Sequence, residues 1–262
     1  MLLKDKVVIV SGIGPGLGQA LATLAAQEGA RLVISARTPA KLDTAEAEVA
    51  ALGLDTEVLK VPCDISVAAE CEALVAATIA RFGRVDCLIN SAYTAGKLTL
   101  MEDSDLEDWR HTLDTNLFGS LALCLAVFPA MKAQGGGAIV NVNTQVTRKP
   151  LLCQGGYGAS KAALAHTTAQ LALEWGQYGI RVNSTFMGWM WGSSVEAYIA
   201  GLAAEGGPSV EEQKAEVAKN VALRVIPPDR ECAKGVIMLL SDYASMVTGA
   251  SLDINGGEFL PI

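Results

Sequence analysis

Tyr157 and Lys161 stand four residues apart in the stretch Gly155–Leu164. That spacing is about one helical turn, so a phenol and an ammonium leave the same helix face. A phenol titrates near ~10, too high for a base at neutral pH. A neighbouring ammonium favours the phenolate and lowers that value, which would make the pair a proton-transfer device. The same spacing also arises on helices whose tyrosine is half-buried and whose lysine is solvated, so the rest of the chain has to decide. Near the N-terminus the apolar run Val7–Val10 enters a glycine-rich stretch, Ser11–Gly18, and an alanine- and leucine-rich helix follows to about Glu28. Strand, glycine loop and helix together form a phosphate cradle. Backbone N–H groups and the helix dipole face an anion, and glycine lets it approach closely. Gly12, Gly16 and Gly18 read G-x-x-x-G-x-G. The commoner G-x-G-x-x-G is not met, because its third glycine falls on Leu17. Pro15 removes one N–H donor and fixes one φ.

Strands and helices alternate almost from end to end. Strand candidates are 7–10, 31–36, 57–61, 85–90, 138–143, 180–185 and 250–254, most of them short and apolar or β-branched. Helical patterns occupy 17–28, 39–51, 67–82, 106–133, 157–178 and 229–241. Regular βα alternation predicts one α/β domain over 1–262: a Rossmann-like, doubly wound parallel sheet of about seven strands with helices on both faces. Its ligands should bind beyond the strand C-termini, where the glycine loop, Asn90, Thr144 and Gly188 converge. The segment 188–228 breaks the rhythm and is too long for a plain connection, which predicts a substrate lid.

With 262 residues, 51% of them hydrophobic, the chain can bury a large core. A net charge of −8 and the lack of any basic run argue against a nucleic-acid partner. No apolar segment approaches a membrane span, and Met1–Lys6 breaks into charge at once, with no cleavable signal pattern. Six scattered cysteines without CxxC suggest reduced thiols and a cytoplasmic setting. His111 and His166 lie in helical stretches as surface residues, and no ligand spacing suggests a metal.

With these pieces placed, the sequence resembles the short-chain dehydrogenase/reductase family over nearly its whole length. Gly12, Gly16 and Gly18 match that family's cofactor loop, and Cys63–Ile65 matches the segment whose aspartate, here Asp64, meets the adenine. Asn90–Tyr93 stands where the family usually has Asn-Asn-Ala-Gly. Asn116 matches the helix asparagine of the catalytic tetrad, Ile139–Thr144 the strand carrying its hydroxyl, and Tyr157 with Lys161 the remainder. Ile180–Asn183 and Thr248–Gly257 are also typical of it. Three positions depart. Thr144 replaces a serine but keeps a donor and two lone pairs. Tyr93 replaces a glycine, and either enters substrate space or packs outward. Met187 and Gly188 replace Pro-Gly ahead of Trp189 and Trp191, which leaves the usual carboxamide contact open.

The resemblance implies hydride transfer between a nicotinamide and a carbinol or carbonyl carbon. Tyr157 would move the proton, Lys161 would lower its pKa and hold the ribose, Thr144 would bond the substrate oxygen, and Asn116 would position a water. Leu17, Ile65, Ala92 and Gly188 join the glycines, Asp64 and Asn90 as cofactor contacts. The second strand ends at Ala36, where an NAD site usually has an acid, and Arg37 follows, so NADP is favoured and NAD remains possible. Arg37 could instead stack on the adenine or cap the next helix. Tyr93, Gln145, Gln154, Trp189 and Trp191 are candidate substrate contacts. No Arg or Lys lies between Phe186 and Ala203, so the expected substrate is a bulky uncharged alcohol or ketone, not a sugar, an acidic metabolite or an acyl-carrier thioester. Family members commonly form tetramers, which favours a homo-oligomer. Other readings are a reductase of activated C=C bonds, an epimerase, a dehalogenase-like lyase or a non-catalytic cofactor-binding regulator. The last two fit less well, since Lys161, Tyr157 and the glycines are all present.

Overall fold

The seven apolar runs form one parallel sheet in a computed structural model that describes residues 1–261. The strands are β1 (Val7–Ser11), β2 (Arg31–Ala36), β3 (Val58–Pro62), β4 (Cys87–Asn90), β5 (Gly137–Thr144), β6 (Ile180–Met187) and β7 (Ser251–Ile254). Their order is β3-β2-β1-β4-β5-β6-β7, with every neighbouring pair parallel. Successive strands step one way from β1 and the other way from β4. The loops leaving these two strands therefore part and open a crevice at the strand C-termini. Every residue of β1 and β4 is buried, which is why neither shows polar alternation.

Helices α1 (Leu17–Gln27), α2 (Pro39–Ala50) and α9 (Asp229–Leu240) cover one face of the sheet. Helices α3 (Ala68–Phe82), α5 (Ser120–Ala133) and α6 (Gly155–Trp175) cover the other. The helical run expected over 106–133 is three pieces: α4 (Leu106–Leu113), a π-helical turn over Asp114–Gly119, and α5. Among the described residues this run is also the one helix long and apolar enough, by length and composition, to cross a membrane. The sequence expectation that no segment approaches a span is corrected accordingly. Its apolarity has a structural source, since Leu123, Cys124, Val127 and Met131 pack into the core against β4 and β5.

Four polar links cross this core. Asn90 Nδ2 donates to Asn141 Oδ1 at 2.8 Å, and Asn141 Nδ2 donates to Thr168 Oγ1 at 2.8 Å. Ser184 Oγ reaches the same Thr168 oxygen at 3.1 Å, and Asn143 Nδ2 reaches Ser184 Oγ at 2.9 Å. They tie β4, β5, β6 and α6 together beneath the crevice. The irregular segment 188–228 contains two helices that periodicity did not reveal, α7 (Ser193–Ala204) and α8 (Val210–Lys219). Ile199 is the only fully buried residue on α7, and α8 has none.

Candidate active site

The crevice is one cleft of about 780 Å³ that runs from Arg37 past the glycine loop to Tyr157 and Trp189. Its first wall is made by close backbone approach. A Cβ on Gly12 would sit 2.2 Å from the Ala92 backbone nitrogen, and one on Gly18 would sit 2.2 Å from the Gly12 carbonyl oxygen. Only glycine lets the loops after β1 and β4, and the start of α1, come this near. Gly16 caps α1 without any side-chain bond to the helix amides, so the first turn faces the cleft with donors free for an anion. Leu17, Gly18, Ile65 and Ala92 all line the same wall.

At the far end Tyr157 and Lys161 project from the first turns of α6, and Thr144 ends β5 opposite them. Burial, and then the nearby Tyr93 phenol, push the Tyr157 pKa above its ordinary value, and the Thr144 hydroxyl opposes them by favouring the phenolate. Lys161 is 2% exposed, and its Nζ donates to the Val142 carbonyl at 2.8 Å. Burial pulls its pKa down to about 7. The sequence expectation that Lys161 lowers the pKa of Tyr157 does not describe this arrangement. The ammonium faces a backbone carbonyl and is itself desolvated, so it is not a strong fixed cation beside the phenol.

Two predicted contacts lie behind the wall. Asn116, in the π-helical turn, accepts from the Thr94 N–H at 2.8 Å and donates to Thr94 O at 2.8 Å and Ser160 Oγ at 2.9 Å. Both of its N–H donors are spent there. It fixes the loop after β4 against α6 and does not face the cleft. Asn90 is likewise buried and braces Asn141, so the expected cofactor contact is corrected to a core link.

The rim is more exposed. Arg37 lies 4.0 Å from Asp64 and both line the end of the cleft beside the loop after β2. Burial opposes the Asp64 charge, but hydrogen bonds from Ser66 and the Arg37 guanidinium hold its carboxyl below the usual value. Lys41, on the first turn of α2, lines the same end. It lies four residues after Arg37, a nearby basic residue readable in the sequence but missed there. Tyr93 is 57% exposed and stands with its ring 6.0 Å from that of Tyr157, on the substrate side. Gln145, Gln154, Gly188 and Trp189 also line the cleft. Gln145 is 3% exposed and its Oε1 has no partner. Trp191 is corrected. Its backbone pairs with Pro227 and Asp229, and Lys214 of α8 sits 4.2 Å over its ring, outside the cleft. Trp189 thus lines the cleft, while Trp191 borders the small hollow on the outer side of the glycine loop.

A nicotinamide dinucleotide fits this chemistry. The glycine wall accepts backbone-close phosphates, a basic rim stands at one end, and a proton-moving pair at the other. Residues 12–258 match a family model described as enoyl-(acyl carrier protein) reductase. The chain is 37% identical over 256 residues to D-threitol dehydrogenase of Mycolicibacterium smegmatis, covering 97% of this chain and 93% of that one. It is 34% identical over 254 residues to levodione reductase of Leifsonia aquatica, covering 97% and 94%. A crystal structure of levodione reductase superposes with a TM-score of 0.91 at 33% identity and covers 98% of both chains. L-sorbose reductase from Gluconobacter frateurii, complexed with NADPH and L-sorbose, gives 0.94 at 26% identity over 100% of both. An NAD+-bound xylitol dehydrogenase gives 0.89 at 28%, covering 98% of this chain and 100% of that one.

Proposed function

This chain belongs to the short-chain dehydrogenase/reductase family and is an NAD(P)-dependent oxidoreductase, and on that premise we propose that it interconverts an uncharged secondary alcohol and its ketone with Tyr157 as the acid/base. The observation that carries this reading is the meeting of Tyr157, Thr144 and buried Lys161 at the end of a cleft that begins at the glycine loop. The nicotinamide, when bound, supplies the hydride chemistry. The protein's part is to place and to protonate. Thr144 Oγ1 donates its one proton toward the substrate oxygen, stabilising charge that develops there. Tyr157 Oη gives or takes the proton. Lys161 holds a proton near neutrality beside it, and Asn116 positions the loop behind both. Arg37 and Lys41 at the adenosine end, with Ala36 in place of an acid, support NADP over NAD.

The substrate end is lined by Tyr93, Leu98, Val146, Leu151, Met187 and Trp189, and among the described residues there Lys161 is the only charged side chain. This supports an apolar, bulky substrate. The partnerless Oε1 of Gln145 favours a second reading, in which a hydroxyl beside the reacting carbon donates to it, as a diol or hydroxyketone would. Six unpaired cysteines support a reducing, cytoplasmic setting. Exposed Phe118 and Leu125 on the α5 side and Leu173 on α6 support self-association, with a tetramer the favoured assembly. The experiment is a kcat/KM series over aryl ketones, cyclic ketones, vicinal diols, sugars and charged keto acids, with each cofactor. No turnover with any of them would sink the reading, and best activity on a charged keto acid would overturn the substrate class.

A further inference from the structure

Asp64 and Asp229 are the two carboxylates in the wall of the cleft. Asp64 has hydrogen bonds from Ser66 and a guanidinium nearby, whereas the Asp229 carboxyl has neither a side-chain hydrogen bond nor a cationic side chain beside it. Asp229 opens α9 and is wedged between two glycines from other elements. A Cβ on Gly16 would lie 3.0 Å from its Oδ2, and a Cβ on Gly192 would lie 1.7 Å from the same oxygen. Its backbone N–H donates to Trp191 O at 3.2 Å, which fastens α9 to the root of the lid. The carboxyl therefore fills the gap between the uncapped start of α1 and the lid root, beside the place where helix amides would receive a diphosphate.

The groups around it do not supply a counter-charge. The glycine loop and α1 bring no ionisable side chain, only Gln19. From α7 comes Glu196, which repels it. On α9 itself, Arg230 is turned to Gln27, Glu231 pairs with Lys234, and Cys232 is buried. Glu48 of α2 lines the small hollow on the outer side. Burial first, and then Glu196, lift the carboxyl to about 6.

We propose that Asp229 is a proton-carrying contact for the cofactor diphosphate: its neutral acid donates a hydrogen bond into that subsite, and its ionised form opposes the diphosphate charge. Dinucleotide binding then takes up one proton from solvent at Asp229. The inference rests on the cofactor reading above. Its sign follows from linkage. Below the free carboxyl's pKa the acid is already protonated and affinity is flat. Above it each binding event must recruit a proton, and the dissociation constant climbs by at most about tenfold per pH unit.

NADH is the suitable probe, because the 2′-phosphate of NADPH titrates in the same range, with a second pKa of about 6. Its dissociation constant is measured by fluorescence between about pH 5.5 and pH 8, with proton uptake read by calorimetry in two buffers of different ionisation enthalpy. The wild-type constant should rise about tenfold or more between pH 6 and pH 8, with proton uptake, while Asp229→Asn keeps its low-pH affinity throughout. A wild-type profile without slope, an Asn variant with the wild-type slope, or an Asn variant that binds more weakly at pH 8 overturns the proposal. If neither NADH nor NADPH binds at any pH, the cofactor reading itself fails, and this inference with it.

Discussion

The floor of the cleft and its rim are built differently. On the floor, Tyr157, Thr144, Lys161, Gly12 and Gly18 belong to strand ends and helix starts and are packed against the core or hydrogen-bonded across elements. On the rim, Arg37, Lys41, Tyr93 and helices α7 and α8 are attached by few buried groups, and α8 has no buried residue at all. The floor can hold a reaction geometry because its parts cannot move singly. The rim can change what is admitted without disturbing the core. Substitutions on the floor should therefore cost rate, and those on the rim should change preference.

The largest effect is expected at Tyr157. Tyr157→Phe keeps the ring but removes the proton carrier, and kcat should fall by about 10²–10⁴ with cofactor affinity nearly unchanged. Turnover within a few-fold of wild type would break the floor side of the comparison. Next comes Thr144. Thr144→Ala should lose roughly 10²-fold or more in kcat, the usual cost of a missing donor to a developing oxyanion, while Thr144→Ser keeps most of the rate. Equal behaviour of the two variants would make Thr144 structural. On the rim, Arg37→Ala should raise the KM for NADP about tenfold or more, as expected for losing a charge-assisted hydrogen bond, and leave that for NAD nearly alone. Parallel changes for both cofactors would remove Arg37 from 2′-phosphate recognition.

The two tryptophans sharpen the contrast within the lid. Trp189→Ala should reorder the substrate series, because the ring lines the cleft. Trp191→Ala should leave the order intact and lower stability by roughly 0.5–3 kcal/mol, because its ring packs on Lys214. Reversed outcomes, read from kcat/KM and thermal melts, would mean that the lid seats the other indole against substrate. The smallest effect concerns Asp229 and stability. Its folded pKa is raised to about 6 from 3.8, so the stability it confers is full below the unfolded value and is lost as pH rises through the folded one. Asp229→Asn should accordingly melt higher than wild type near neutral pH, and a gain confined to acid would contradict this.

Strands and most helices were legible because they depend on local pattern. Buried strands read as apolar runs, and the glycine loop reads as glycine. What was not legible depended on partners far away in sequence. Asn90 and Asn116 carry side chains that suit a ligand, and only their meeting with Asn141 and Thr94 shows that their amide N–H groups are spent elsewhere. Nothing in the sequence told that Lys161 is buried against Val142 O, where burial lowers its pKa to about 7. Helices α7 and α8 lacked a buried stripe to give a 3.6-residue period. Even so, Ser209 and Glu212 form a capping box whose spacing marks the start of α8 in the sequence.

The polar links beneath the crevice have a consequence for folding. Parallel apolar strands of Val and Ile pair almost as well when shifted, since one hydrophobic side chain replaces another. Asn90, Asn141, Thr168, Ser184 and Asn143 do not permit it. A shift of one residue in β5 or β6 would turn these amides and hydroxyls to the other face and strand several of them in hydrocarbon, at about 1–3 kcal/mol each. The links thus act as a checksum on alignment. The pairing that forms these links is also the one that brings Thr144 level with Met187 at the lip of the cleft.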